Sequence, residues 1–187
     1  MRILALNASP RKDGNTAKIL KEVTKDHADV DLDYFDLNSM KIRDCQGCMS
    51  CKKNDGCAVK DDMQKLYKKI KECDALVLGS PIYFGAETAS LRAFIDRCYA
   101  LLEFGKPPAM YAPRLTGKKQ VIVVLTCGSP MGKEVYAAEA DRLFKTWPGL
   151  GFQDVHVYVI GGNRPTVNVL ELTDAQAMLK ECQKLLG

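Results

Sequence analysis

Four cysteines fall within thirteen positions, Cys45, Cys48, Cys51 and Cys57, at the spacing C-x2-C-x2-C-x5-C. Thiolates this close in sequence can converge on one small object, and Gly47 and Gly56 let the chain between them bend tightly. Zinc more often uses two Cys pairs separated by a longer insert. The compact run is nearer to the ferredoxin spacing C-x2-C-x2-C-x3-C-P, with Ala58 standing where that pattern has Pro. A four-iron, four-sulfur (4Fe–4S) cluster is therefore one expectation. Zinc or redox-disulfide chemistry, and ordinary thiols in a structured loop, are the alternatives.

A second stretch carries a different chemistry. Asn7-Ala-Ser-Pro-Arg-Lys-Asp-Gly-Asn-Thr16 lies between a short apolar run, Ile3 to Leu6, and a helical pattern carrying Ala17, Ile19, Leu20 and Val23. Strand, polar loop and helix N-terminus together make an anion site, because first-turn N–H groups lack intrahelical acceptors and the helix dipole favours negative charge there. Asn15 and Thr16 read as the cap. Ser9 and Thr16 add hydroxyl donors, Asn15 an amide and Arg11 a charged fork suited to a phosphate. The loop has neither Gly-x4-Gly-Lys-Ser/Thr nor Gly-x-Gly-x-x-Gly, so the usual nucleotide signatures do not apply. The plain alternative is a Pro10–Gly14 turn into a capped helix.

The third stretch is Ser80-Pro-Ile-Tyr-Phe-Gly85. Pro81 stiffens the backbone, and Gly85 permits positive φ or close approach by a flat ligand. Tyr83 and Phe84 offer aromatic faces to a ring, and peptide N–H groups such as that of Ile82 can address ring heteroatoms. Alternatively the aromatics fold into the core. Thr126-Cys127-Gly128 would make a third wall, with Cys127 a small rim residue rather than a catalytic thiol. Cys73, Cys98 and Cys182 fall on or beside apolar stripes and read as small core residues. His27 and His156 have no ligand or triad pattern around them.

These loops need elements to hold them. Apolar runs at 3–6, 30–36, 74–79, 120–126 and 155–160 read as five strands, and helical patterns follow at 15–23, 61–71, 88–103, 133–146 and 173–185. Residues 37–60 fit neither period, 81–86 reads as a loop and 104–117 as an irregular connection. Alternation of strands and helices implies one α/β domain over residues 1–187, a parallel sheet covered on both faces by right-handed crossovers. In the strand order 2-1-3-4-5, a ligand binds at the switch between the first and third strands. That order brings the 7–16 and 80–85 loops to one crevice. Gly161-Gly-Asn163 ends the fifth strand, away from the switch, and reads as a turn.

Bulk properties agree with a globular protein: 187 residues, 47% hydrophobic, 27% charged, net charge +4. Neither nucleic acid nor membrane is an expected partner, since the charge is mild and no apolar run approaches spanning length. With no signal-peptide pattern ahead of the first strand, the expected location is the cytoplasm. Eight cysteines in a reducing compartment argue against a disulfide framework. From Lys41 to Lys71 there are nine Lys or Arg against four Asp. This is either a solvated face or an attraction for an anionic donor.

The runs Asn7-Ala-Ser-Pro-Arg11, Gly14-Asn-Thr16, Ser80-Pro-Ile-Tyr-Phe-Gly85 and Leu91-Arg-Ala-Phe-Ile-Asp-Arg97 resemble those of NAD(P)H-dependent FMN reductases of the flavodoxin-like superfamily. One departure is Ala8, where that family usually has Gly. The resemblance implies that Ser9, Arg11, Asn15 and Thr16 hold the FMN phosphate, and that Pro81, Ile82, Tyr83, Phe84 and Gly85, with Thr126, Cys127 and Gly128, frame the ring. The cysteine run looks like that of iron–sulfur flavoproteins, a branch of the same superfamily carrying a 4Fe–4S cluster beside FMN.

The expected function is thus an FMN-dependent oxidoreductase, moving electrons from NAD(P)H to a small molecule or an electron-carrier protein. No side chain is assigned as general acid or base. The rivals are an iron–sulfur electron carrier that does not use nicotinamide directly and a non-enzymatic binding module. The apolar connection Phe104–Pro113 suggests a homodimer or larger homo-oligomer.

Overall fold

Buried β-branched and leucine runs build the centre of the molecule. The computed structural model describes residues 1–25 and 30–187, so His27 lies outside the described residues. The chain runs β1 (Arg2–Asn7), α1 (Asn15–Val23), β2 (Asp31–Asp36), α2 (Ser50–Lys53), α3 (Met63–Glu72), β3 (Ala75–Tyr83), β4 (Ala86–Glu87), α4 (Ala89–Arg97), β5 (Leu102–Phe104), β6 (Tyr111–Pro113), β7 (Gln120–Thr126), α5 (Gly132–Val135), α6 (Ala137–Thr146), β8 (Asp154–Ile160) and α7 (Thr173–Leu186). Five parallel strands lie in the order β2-β1-β3-β7-β8. This is the expected flavodoxin-like order. Among the described residues no helix is long and apolar enough to cross a membrane.

The period-two pattern of the strands feeds two cores. Leu4, Leu6, Leu76, Leu78, Val121 and Val123 pack against Met63 and Leu66 of α3, Phe94 of α4 and Leu143 of α6. Ile3, Ala5, Ala75, Val77, Ile122 and Val124 face the other way, onto Ile19 and Leu20 of α1 and Met178 and Cys182 of α7. Gly79 lets α1 approach the sheet: a Cβ there would lie 2.6 Å from Leu20 Cδ1. Cys73, Cys98 and Cys182 are all buried. Burial pushes their thiols up, to about 11 for Cys73 and about 12 for Cys182.

Several boundaries differ from the sequence expectation. β3 does not stop at Gly79 but continues through the expected loop to Tyr83, then turns back on itself as β4. The helix expected to reach Glu103 ends at Arg97. Carbonyls at and beyond this end are taken up elsewhere: Tyr67 Oη donates to Arg97 O at 2.8 Å, and Lys52 Nζ donates to Tyr99 O and Leu102 O, each at 2.6 Å. The chain tightens into a 3₁₀ turn over Cys98–Leu101. The connection expected to be irregular holds the antiparallel hairpin β5–β6. The fourth expected helix is two pieces, broken at Tyr136.

Candidate cofactor cleft and cysteine pocket

The loops after β1, β3, β7 and β8 bound one cleft of about 410 Å³ at the carboxyl ends of the strands. A volume of this size is that of an ordinary small-molecule site. Ser9, Arg11, Asn15, Thr16, Pro81, Ile82, Tyr83 and Gly128, all expected from the sequence, line it together.

Local hydrogen bonds fix the β1 loop. Ala8 N donates to Gly79 O at 2.8 Å, Ser9 N to Asn7 Oδ1 at 3.1 Å, and Arg11 N to Ser9 Oγ at 3.2 Å. Ala8 O accepts from Asn38 Nδ2 at 2.9 Å, Thr88 Oγ1 at 3.0 Å and Ser90 Oγ at 3.3 Å. Ala8 is buried, and the described non-glycine residues with positive φ are Met49 and Phe84, so the position accommodates a methyl group on ordinary backbone.

Asn15 and Thr16 do not cap the helix with their side chains. Gly14 occupies the cap position, and α1 begins at Asn15. Asn15 Nδ2 instead reaches Asn163 Oδ1 at 2.6 Å, Val167 O at 2.9 Å and Arg164 O at 3.1 Å. The Thr16 and Thr126 hydroxyls meet at 2.8 Å, in a buried contact beneath the cleft. The first-turn N–H groups of α1 remain without intrahelical acceptors, an orientation that suits an anion.

The β3–β4 hairpin has Phe84 and Gly85 as its two central residues, with φ of 49° and 91°. Positive φ at both is the mark of a type I′ turn. Phe84 is fully exposed and Tyr83 half exposed, so these aromatics do not fold into the core. Phe84 and Gly85 stand outside the cleft lining, at the hairpin tip. Thr126 and Cys127 are buried behind the wall that Gly128 forms, and Cys127 Sγ approaches Ser129 O at 3.7 Å. Burial pushes the Cys127 thiol up, which fits a packed residue rather than a nucleophile.

Asn163, Arg164 and Pro165 also line the cleft, although the sequence places their turn away from the switch. The loop after β8 folds back because Asn163 N donates to Cys127 O at 2.8 Å and Gly162 N to Ser129 O at 2.7 Å. Asp13, Gly14 and Lys18 complete the lining. The signal for residues 163–165 was the Gly161-Gly162 pair, which allows a tight reversal, with Gly162 at φ 68°.

All four clustered cysteines line one small pocket of about 20 Å³, with Arg97 and Tyr99 among the other walls. Cys45 and Cys48 are exposed, Cys57 is half-buried and Cys51 buried. Gly47 and Met49 take left-handed backbone, φ 61° and 58°, to turn the chain around it. Among the described residues no group of three or more His, Cys, Asp or Glu side chains is arranged to hold a metal ion. The thiols share a pocket without standing at ligand distances.

The surroundings are electropositive. Lys52 is buried, with its Nζ 3.6 Å from the Tyr99 ring centre. Burial lowers its pKa, and the neighbouring Cys51 opposes that shift. Burial pushes the Cys51 thiol up, against the pull of Lys52. Of the nine Lys and Arg of residues 41–71, Lys69 pairs with Asp33 at 2.7 Å and Lys71 with Asp55 at 3.6 Å.

A family model for NADPH-dependent FMN reductases matches residues 1–163. An iron–sulfur flavoprotein of Archaeoglobus fulgidus is 33% identical over 149 residues, covering 79% of this chain and 64% of that protein. Another, from Methanocaldococcus jannaschii, is 34% identical over 99 residues, covering 52% of this chain and 51% of that protein. The chain thus spans about half to two thirds of the length of these curated relatives. A solved NAD(P)H:quinone oxidoreductase from Methanothermobacter marburgensis superposes with a TM-score of 0.76 over 100% of this chain and 97% of that one. At 16% identity, this is a likeness of fold.

Proposed function

The chain belongs to the NADPH-dependent FMN reductase family, and from that membership we propose that it is an FMN-dependent oxidoreductase that takes electrons from NAD(P)H and passes them to an acceptor. The observation that carries the reading is the single cleft in which the β1 loop and the β3 loop face one another. In this reading Ser9, Arg11, Asn15, Thr16 and the α1 N-terminus receive the phosphate, and Pro81, Ile82, Tyr83 and Gly128 border the ring. Phe84 and Gly85 border the entrance, while Thr126 and Cys127 back the wall. FMN, when bound, supplies the redox chemistry, taking up electrons in pairs and releasing them singly or in pairs. The protein holds it, excludes water from one side and leaves the Tyr83–Phe84 side open. Rapid anaerobic mixing of FMN-loaded protein with NADPH and with NADH tests the reading. Bleaching of the flavin band on the catalytic time scale with either one supports it, and no bleaching with both rejects it.

A second reading rests on the cysteine pocket. Cys45, Cys48, Cys51 and Cys57 would hold a 4Fe–4S cluster, giving the flavin a one-electron outlet toward a carrier protein. The donor set fits: four thiols share one pocket beside the Arg97 guanidinium and the Lys52 ammonium, which offset negative charge. Iron, acid-labile sulfide and flavin analysis of anaerobically purified protein decides it. Full flavin with neither iron nor sulfide rejects the cluster. Eight unpaired cysteines suit a reducing compartment, the cytoplasm. The exposed Phe104, Met110 and Tyr111 of the β5–β6 hairpin support a homodimer, which a monomer mass in light scattering at micromolar concentration would reject.

A further inference from the structure

We propose that Arg97 is a positioning residue for the cysteine pocket: its guanidinium clamps the two feet of the 43–61 loop, and its Nε–H is the donor to a sulfur of the group the four cysteines hold. This rests on reading that pocket as a cluster site.

A guanidinium has five N–H donors. Four are engaged here. Nη1 donates to Arg43 O at 2.8 Å and Asp61 Oδ2 at 2.7 Å; Nη2 donates to Asp61 Oδ1 at 3.1 Å and Val59 O at 3.4 Å. Arg43 is where the cysteine loop departs, and Val59 and Asp61 are where it returns. Asp61 closes the ring by accepting Arg43 N at 3.0 Å and Met63 N at 3.1 Å. Arg97, at the end of α4, therefore ties both ends of the span across which Cys45 to Cys57 are strung, beside the direct Lys41–Asp62 pairing just outside it.

The fifth donor, Nε, is buried and has no hydrogen-bond partner. Arg97 is itself a wall of the pocket the cysteines line. Its side chain is 0% exposed and that of Asp61 5%. An ion pair buried this deeply adds little stability over a well-packed apolar pair, so stability alone does not account for it. A buried donor without an acceptor is costly. A cluster held by four thiolates offers sulfur acceptors at this wall, and hydrogen bonds to cluster sulfurs are among the terms that set its reduction potential. The added electron makes those sulfurs better acceptors, so the Nε–H bond favours the reduced form and raises the potential.

The test uses two variants of anaerobically purified, FMN-loaded protein. Arg97→Lys keeps the charge and loses Nε–H and the fork. Arg97→Gln with Asp61→Asn removes both charges together, so neither is left buried alone. The cluster potential is read by redox titration followed by electron paramagnetic resonance, with the flavin potential as internal control. Both variants should lower the cluster potential, leave the flavin potential unchanged and lose iron faster to a chelator. A cluster potential and iron loss equal to wild type in both variants would overturn the proposal. Hydrogen exchange of residues 43–61 in iron-free protein reads the clamp separately: it should quicken in both variants, and unchanged exchange overturns the clamp. Wild-type protein without iron and sulfide would instead reject the cluster reading and the sulfur-donor role with it, leaving exchange to judge the clamp.

Discussion

The cofactor cleft and the cysteine pocket both stand on loops that follow parallel strands, and they are built in opposite ways. The cleft is made by the backbone. Ala8, Ser9, Arg11 and Gly14 are pinned by hydrogen bonds among themselves and to Gly79, Asn38, Thr88 and Ser90, and about 410 Å³ stands open. The cysteine pocket encloses about 20 Å³ and is held by side chains: Arg97 and Asp61 at its feet, and between them Lys52 on Tyr99 O and Leu102 O, Arg114 on Cys51 O and Gln64 on Cys57 O. Peptide donors reach their final positions when the sheet forms. In the proposed cluster reading, thiols that repel one another as thiolates would reach theirs when a metal joins them, because metal binding and local folding are one equilibrium. A site of the first kind is formed by the chain itself, and in the cluster reading one of the second kind would be completed by what it binds.

The largest effect expected from that contrast is at Cys48. On the proposed cluster reading, Cys48→Ala should remove all iron and sulfide while FMN stays bound, since no residue of the 43–61 loop lines the cleft. Flavin and iron analyses of one preparation check it, and loss of both together would break the contrast. Next is Arg11→Ala. A charge-assisted hydrogen bond contributes about 1.5–3 kcal/mol, so FMN affinity should fall roughly 10- to 100-fold. Riboflavin, which lacks the phosphate, should bind nearly as before, and calorimetry with both ligands compares them. Equal losses would move the phosphate elsewhere.

A smaller effect concerns the scaffold. Gly79→Ala would push a methyl group against the buried Leu20. Overpacking of this kind costs about 1–3 kcal/mol, or roughly 2–12 °C in Tm for a chain of this length. Calorimetric scans should show the fall with or without iron. The smallest effect is on the acid side. Burial pushes the Asp61 carboxyl up, but hydrogen bonds from Arg97 and from the Arg43 and Met63 amides outweigh it and hold it below its ordinary value. Its contribution is therefore present above the unfolded pKa of about 3.9 and is lost as pH falls through the lower folded value. Below about pH 4, exchange in residues 43–61 should quicken more steeply in wild type than in the Arg97→Gln, Asp61→Asn variant. Parallel curves would detach Asp61 from the loop.

The elements most legible from sequence are those whose partners are local. Gln120–Thr126 was placed correctly because an unbroken apolar run between Lys119 and Gly128 admits little else. The two cores followed from alternation along the strands. That Ser9, Arg11 and Thr16 come to one place was legible from the strand–loop–helix grammar around them, and they line one cleft. Arg97 was not legible: in sequence it is one basic residue inside a helical pattern, and its meaning comes from Asp61, 36 positions earlier. Asn163 was missed likewise, because its tie to Asn15 crosses 148 positions. The hairpin extension of β3 was hidden by Pro81, which reads as a strand breaker until its ladder position beside Thr126 is known.

That extension has a consequence for how such a cleft can change over time. β3 stays paired with β1 only to Gly79 and runs four residues further, to Tyr83. At about 3.3 Å per residue, the aromatic tip stands roughly 13 Å above the floor. The height of that ledge is counted in residues of a strand, and strands count in twos. Inserting two residues would raise the ledge by about 7 Å with the same side chains still turned inward, whereas inserting one would exchange every inward residue for an outward one. Descendants of this chain can therefore raise or lower that wall of the cleft only in paired steps, and a single-residue change of length there is a change of surface rather than of size.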